Sequence, residues 1–344
     1  LTATSEGDNL TVSSSKVQFV FHRPSGLVTS YRVNGVEYFH EGFGLQPNFW
    51  RAPNDNDYGN GMPKRLQVWK QSSRAFNVTD ASLAMEGEDA LLRVSYLLPA
   101  GNLYLVSYRI HPSGVVKVDA RFTSTEMSAA ETEISEATRT ATFTPGRDAA
   151  RKEASKLNVP RIGVRFRLPQ AMDRLTYFGR GPEENYWDRK AGTAVGRYQS
   201  TAEQQYFPYV RPQENGHHTD TRWLTLSDAK GRGLRIVADS LIEFNALRNA
   251  IEDFDAEEQR ELPRQWGNLT PEQVANHNEA EAVNVLRRQH HISDITARDF
   301  VEVCVDLKQQ GVAGYDSWGA RPEPAYTLPA NRDYQWGFTL IPLR

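Results

Sequence analysis

The chain has 344 residues, with 40 Lys and Arg against 43 Asp and Glu for a net charge of −3. So close a balance argues against a basic nucleic-acid face and an acidic disordered tail, and no apolar run approaches the roughly 18 residues of a bilayer-crossing helix, so neither nucleic acid nor membrane is expected as a partner. The one cysteine, Cys304, excludes an internal disulfide framework and a cysteine-built zinc site.

The opening residues, LTATSEGDNL, have neither a basic head nor an apolar core, so no signal peptide is expected. Without an initiator Met, the chain is expected to be a processed protein or a piece of a longer one, and its compartment stays open. From Lys16 onward the pattern is one of short strands. KVQFVFHRPSGLVTSYRVNGVEYFH alternates Val17, Phe19 and Phe21, breaks at Pro24-Ser25-Gly26, resumes, and turns again at Asn34-Gly35, a tight hairpin pair. ALLRVSYLLPAGNLYLVSYRIHPSGVVKVDARFT repeats the scheme, with breaks at Pro99-Ala100-Gly101-Asn102 and Pro112-Ser113-Gly114. RIGVRFRLP, RWLTLSDAKGRGLRIVAD and FVEVCVDL continue it. In the last of these Cys304 alternates with valines, which predicts a buried strand thiol rather than a nucleophile. Strands recurring about every ten residues, with no strand–helix alternation, predict an all-β fold, a large antiparallel sandwich.

The exception is the polar stretch 251–284. Within it Thr270-Pro271-Glu272-Gln273 places Thr at an N-cap, Pro at the first helical position and Gln at the third. It predicts a short, partly helical insertion. With no tandem repeat and no low-complexity linker, residues 1–344 are expected to form a single domain.

Four loops carry the chemistry. GRGPEENYWDRKAG, from Gly179 to Gly192, sets Glu183 and Glu184 side by side with Asp188 close behind. It reads either as a polar ligand surface, with Tyr186 or Trp187 for the apolar face of a sugar, or as a self-satisfied network of Arg180, Glu184, Asp188 and Arg189. Adjacent glutamates are not a glycosidase pair, whose carboxylates flank the bond from different elements. YFPYVRPQENGHHTDTRW holds Glu214, Asn215, His217, His218, Asp220 and Arg222. In extended chain His217 and His218 point to opposite sides, which disfavours a shared metal and favours a hydrogen-bonding polar pocket. NFWRAPNDNDYGNG opens like a calcium loop at Asp55-x-Asp57, but Leu66 stands where the twelfth-position Glu is needed. GVAGYDSWGARPEP is a glycine-rich loop with Asp316 and Trp318, the latter either a sugar platform or a core plug. None of the four has the spacing of a Ser-His-Asp triad, a phosphate loop or a zinc signature.

RAPNDNDYG, GRGPEENYWDRKAG, YVRPQENGHHTDTRW and GVAGYDSW, in this order, resemble the signature blocks of the C-terminal domain of large bacterial β-galactosidases, in the glycosidase family that also holds β-glucuronidases and β-mannosidases. The resemblance runs from about Lys16 to the C-terminus, apart from 251–284. It implies a galactose-mutarotase-like supersandwich fold and a part of a retaining β-galactosidase whose nucleophile and acid/base glutamates lie on a barrel domain of the same polypeptide. The partners it implies are that barrel and a galactoside. It places any Mg or Na of the full enzyme in other domains and implies no cofactor, metal or catalytic residue here. Arg51 to Gly61 would shape the active-site rim, and the GPEENYWDR and RPQENG loops would be structural. Glu302 falls near a position where some members stack a tryptophan on sugar, so Phe300 or Trp318 would have to replace it. The residues expected at a carbohydrate-directed rim are Arg51, Asp55, Asn56, Asp57, Glu184, Asn185, Arg189, Glu214, Asn215, His217, Glu302, Asp316 and Trp318. Bacterial cytoplasm and periplasm both stay open. The alternatives are an autonomous carbohydrate-binding module and a mutarotase-like enzyme, the latter with Glu214 or Glu302 as base and His217 or His218 as acid.

Overall fold

Period-2 burial is visible from the first strands of the computed structural model, which describes residues 1–124, 158–255, 291–316 and 319–343. A first sheet is a five-stranded antiparallel meander: β1 (Thr2–Glu6), β2 (Asn9–Ser13), β3 (Val17–His22), β4 (Leu27–Val33) and β5 (Val36–Glu37). Val17, Phe19 and Phe21 of β3 are buried while the residues between them are half-buried. The β4–β5 hairpin turns through Asn34 and Gly35 at φ 51° and 81°, the left-handed pair that a two-residue hairpin demands.

Among the described residues the second sheet has twelve strands. One stretch of it is built from β7 (Asn77–Glu86), β8 (Asp89–Leu97), β9 (Leu103–Ile110) and β10 (Val116–Thr123), joined in succession. Tyr96, Tyr104, Val106, Tyr108, Val118 and Phe122 project from these strands into an apolar core shared with the first sheet. The expected turns sit where the two sheets meet: the Tyr96 hydroxyl donates to Gly26 O (2.8 Å) and the Tyr31 hydroxyl to Gly114 O (2.5 Å). These two buried phenols thereby find acceptors in turn carbonyls.

The sheet continues through β17 (Tyr334–Leu343) to β15 (Gly233–Leu247), then β14 (His217–Ser227), β12 (Arg174–Gly181) and β13 (Ala194–Thr201). At fifteen residues β15 is long enough to serve two neighbours, β17 along Gly233–Ala238 and β16 (Phe300–Gln309) along Glu243–Leu247. β16 in turn pairs with β11 (Arg161–Pro169), and β11 with β6 (Gln46–Asn48). All these ladders are antiparallel, so the all-β antiparallel reading holds. Cys304 is buried in β16, as its alternation predicted.

Between β6 and β7 the chain departs from the expected loop. Residues after Arg51 form three short helical segments: α1 (Asp55–Gly59), α2 (Met62–Arg65) and α3 (Gln67–Ser72). Asn54 caps α1 by accepting from Asp57 N while Asp57 accepts from Asn54 N, a reciprocal capping box. Met62, Leu66 and Trp69 bury the inner side of these turns. Of the stretch 251–284 only its first residues are described, with a 3₁₀ turn at Ile251–Asp253, so the helix start expected at Thr270 lies outside the described residues.

Candidate functional site

The four polar loops, scattered along the sequence, are bonded to one another. Arg51 closes a two-pronged ion pair on Asp57, at 2.6 and 3.0 Å, and its guanidinium also reaches Gly311 O at 3.5 Å. Asn54 Nδ2 donates to Val312 O (3.3 Å) and Asn60 Nδ2 to Ala320 O (3.4 Å). The Asn56 amide, turned so that both its atoms are satisfied, donates to Asp316 O and accepts from Gly314 N, at 3.1 and 3.2 Å. From the other side, the Asp188 carboxylate accepts from Val312 N (2.9 Å) and Ala313 N (2.8 Å). Gly311 makes that approach feasible, because a Cβ there would lie 2.4 Å from an Asp188 oxygen. Arg211 pairs with Asp55 at 2.9 Å. Glu184 accepts from Gly216 N (2.7 Å), Arg189 Nη2 (2.9 Å) and the Tyr209 hydroxyl. The result is one loop platform, with Asp55, Asp316 and Arg189 on its exposed side. Beside it opens a cleft of about 1130 Å³, whose walls include Asn60, Arg65, Trp187, Lys308 and Tyr334.

Under the platform lies a buried polar layer that follows from alternation along two paired strands. On β11 the residues Ile162, Val164, Phe166 and Leu168 face the apolar core, which sends Arg161, Arg165 and Arg167 to the other face. On β16 the valines 301, 303 and 305 do the same and send Glu302, Cys304 and Asp306 opposite. The two charged faces meet across the ladder: Arg167 Nε donates to Glu302 Oε2 at 2.8 Å, and Arg161 Nε lies 3.2 Å from Asp306 Oδ2. Arg165 binds Glu252 at 2.9 Å and lies 3.5 Å from Glu302. Burial outweighs the nearby Arg161 charge and pushes the Asp306 carboxyl up to about 7.

His217 enters this layer from β14. Its Nδ1 lies 2.8 Å from Asn245 Oδ1 and its Nε2 3.0 Å from Glu243 Oε2. The Asn245 oxygen also accepts from Arg161, while its nitrogen donates to Glu214 and to Asn215 O. Both ring nitrogens of His217 therefore face acceptors, an arrangement that favours the imidazolium form, and the ring stacks on Tyr186 at 5.4 Å. Burial opposes that charge, but the hydrogen bond and charge of Glu243 prevail and raise the ring above its ordinary value. His218 points the other way, as predicted, to Arg180 O, Gln205 and the Phe244 ring. There burial pushes it down to about 4 and keeps it neutral. The free space lined by Arg161, Glu214, Asn245 and Cys304 amounts to about 20 Å³, room for a water and not for a sugar.

Comparison with known proteins decides what kind of chain this is. The family model described as "Beta galactosidase small chain" matches residues 13–340. The chain belongs to the β-galactosidase small-chain family. It is 32% identical over 345 residues to the β-galactosidase of Priestia megaterium, a match covering 100% of this chain and 27% of the relative. Against the β-galactosidase of Streptococcus thermophilus it is 28% identical, over 98% and 27%. It is also 26% identical to the β-galactosidase small subunit of Latilactobacillus sakei, covering 94% of this chain and 92% of that one. The chain thus spans 27% of the length of the first two relatives and nearly all of the third. Among solved structures it is similar to a galactose mutarotase related enzyme from Lactobacillus acidophilus, with a TM-score of 0.44 and 7% identity over 97% of each chain.

Within this small chain the expected rim residues separate into two sets. Arg51, Asp57, Asn185, Asn215, His217 and Glu302 are buried, each with side-chain atoms bonded to a neighbouring loop or strand. Glu214 belongs with them, accepting from Asn245 and Gln309. Glu302 cannot stand in for a stacking residue, since it is enclosed by Arg165, Arg167 and Ile251 N. Asp55, Asn56, Glu184, Arg189 and Asp316 reach the platform surface to differing degrees, and Trp318 lies outside the described residues. Neither simple reading of the Gly179–Gly192 loop is complete: Glu184 and Arg189 do pair, but Arg180 pairs with Asp220 and Asp188 caps the 311–313 backbone. Arg161, Glu243, Asn245 and Asp306 were not singled out from the sequence. For Arg161 and Asp306 the signal was the charged half of the alternation in RIGVRFRLP and FVEVCVDL, and for Glu243 and Asn245 their alternation with Ile242, Phe244 and Ala246 on β15, each of which looks like an ordinary solvent face until its partners are known.

Proposed function

We propose that this chain completes a β-galactosidase whose catalytic carboxylates lie in another part of the enzyme, and that its loop platform forms part of the active-site rim and docks against that part. The observation that carries the reading is the mutual bonding of the four loops, which fixes Asp55, Asn56 and Asp316 on one rigid surface in a member of the small-chain family. A glycosidase needs two carboxyls placed on either side of a glycosidic bond, and the carboxylates gathered here are spent on loop and strand contacts. The substrate proposed for the whole enzyme is a terminal β-galactoside. A mutarotase reading is disfavoured by the enclosure of His217 between Glu243 and Asn245.

The test is to assay the chain with a chromogenic β-galactoside, alone and combined with the catalytic part of the same enzyme. Alone it is expected to give background turnover and to leave fresh α-galactose mutarotating at the buffer rate. The combination is expected to be active, with Asp55→Ala and Asp316→Ala raising KM more than they lower kcat. Turnover by the chain alone that disappears on Glu184→Gln would defeat the proposal.

A further inference from the structure

The cleft beside the platform is lined by four cations and no free carboxylate among the described residues. Arg65 comes from α2, Lys308 from the end of β16, and Arg321 and Arg332 from the connection between β16 and β17. The one acid in the wall, Asp57, is buried and closed on Arg51. The neighbouring Asp333 is turned away to Arg121 and to Ser124 N, both at 2.8 Å. Among the described residues lining the cleft, no acidic partner therefore neutralises these cations.

Arg65 makes the imbalance specific. Its Nη2 donates to the neutral Asn60 Oδ1 at 3.1 Å, while its Nε is enclosed with no acceptor. Burial pulls the guanidinium below its ordinary value, the like charge of Arg321 adds to the effect, and Asp57 only partly offsets them. A partly desolvated cation beside a second cation, both open to a concave wall, is a geometry that favours a bound anion. Two further features face the same space. Gln310 is 4% exposed, and its amide nitrogen has the thioether sulfur of Met62, at 3.8 Å, as acceptor, a weak one. The Lys308 ammonium sits 4.1 Å over the Trp187 ring, which with Tyr334 and Leu328 gives the cleft apolar wall as well as charge. A volume of about 1130 Å³ is ample for a molecule larger than an inorganic ion.

We propose that this cleft binds an organic anion of saccharide size, carrying carboxylate or sulfate groups, with Arg65, Arg321 and Arg332 taking its oxyanion and the Trp187–Tyr334 wall taking its apolar face. Planar guanidiniums suit such oxyanions because each presents paired donors at matching spacing. The site belongs to the chain itself and does not depend on which enzyme the chain completes, so it is tested on the chain alone.

The experiment measures binding of galactose 6-sulfate, galacturonate and galactose by calorimetry and by the shift in melting temperature. It is run at low ionic strength and again at about 0.5 M salt, where screening acts within a few ångströms. At least one anionic sugar is expected to bind at least tenfold more tightly than galactose, to lose that advantage in salt and to be displaced by inorganic sulfate. The preference between the two identifies sulfate or carboxylate as the favoured group. Arg321 and Arg332 are exposed, so the double exchange Arg321→Gln with Arg332→Gln leaves the ligand-free melting temperature unchanged while weakening the anion at least tenfold. Arg197→Gln, on an exposed position of β13, changes nothing. Equal binding of galactose, no binding of either anion, or unchanged affinity in the double variant overturns the proposal. So does tighter binding of triglutamate than of either sugar, which would mark the cleft as a seat for an acidic protein segment.

Discussion

Replacing Arg51 by Met isolates the contact that holds the first helical turns to the sheet. The pair it makes with Asp57 is two-pronged and almost wholly enclosed, with side-chain exposures of 0% and 3%. At an effective dielectric of about 20, unit charges about 4 Å apart attract by roughly 4 kcal/mol. Removing one member of a buried pair costs about 3–5 kcal/mol, because the survivor keeps its desolvation penalty without its partner. Asp57 would retain the hydrogen bond from Asn54 N at 2.9 Å, which places Arg51→Met at the lower part of that range. Burial already raises the Asp57 carboxyl against the pull of Arg51, and losing Arg51 raises it further. A carboxyl whose folded pKa lies above its unfolded value binds more protons in the native state, so the native state gains relative stability as pH falls. The deficit of the variant should therefore be about 3 kcal/mol at pH 7 and shrink steadily on acidification towards the ordinary carboxylate pKa. Urea unfolding followed by tryptophan fluorescence across this range measures both. Adding Asp57→Asn to Arg51→Met should recover part of the loss. A deficit under about 1 kcal/mol, the range of an exposed pair, or one that does not change with pH, would refute the reasoning.

Two further tests address the side of β14 opposite the polar layer and the packing within the platform. Because burial holds His218 at about 4, it contributes stability that is full above the ordinary imidazole value of about 6.5 and is lost as pH falls towards 4, about 3 kcal/mol in all. His218→Gln should flatten that limb of the pH–stability curve, and an unchanged slope in urea midpoints would sink the assignment. Gly311→Ala should cost about 1–3 kcal/mol, the usual range for overpacking, because its methyl would meet the Asp188 carboxylate at 2.4 Å. A variant as stable as the parent chain would show that the 311–313 segment does not need so close an approach.

Much of the fold was legible in the residues because its signals are local. The alternation of Val17, Phe19 and Phe21 needs only the pleat of one strand, and Asn34-Gly35 needs only the left-handed backbone of its own turn. The opposite orientations of His217 and His218 follow from the same pleat, as does the burial of Cys304 between valines. The short turns from Asp55 to Ser72 escaped because segments of four to six residues carry too little 3.6-residue periodicity to be seen. The candidate site was only half legible. The four loops could be picked out by composition, yet nothing in composition says that Asp188 caps Gly311's neighbours or that Arg51 lies under Asp57 and not on a rim.

The sharpest division falls on β11 and β16. By itself the sequence determined that one side of each strand is apolar and the other charged. Only the tertiary structure decided that the charged sides lie together on one buried face of the sheet, roofed by the loop platform, with His217 and Glu243 brought in from β14 and β15. The physical reason is that alternation depends on neighbours two residues away. Whether a charge can be buried depends on a partner from any part of the chain, as Arg161 depends on Asp306, Glu214 and Asn245.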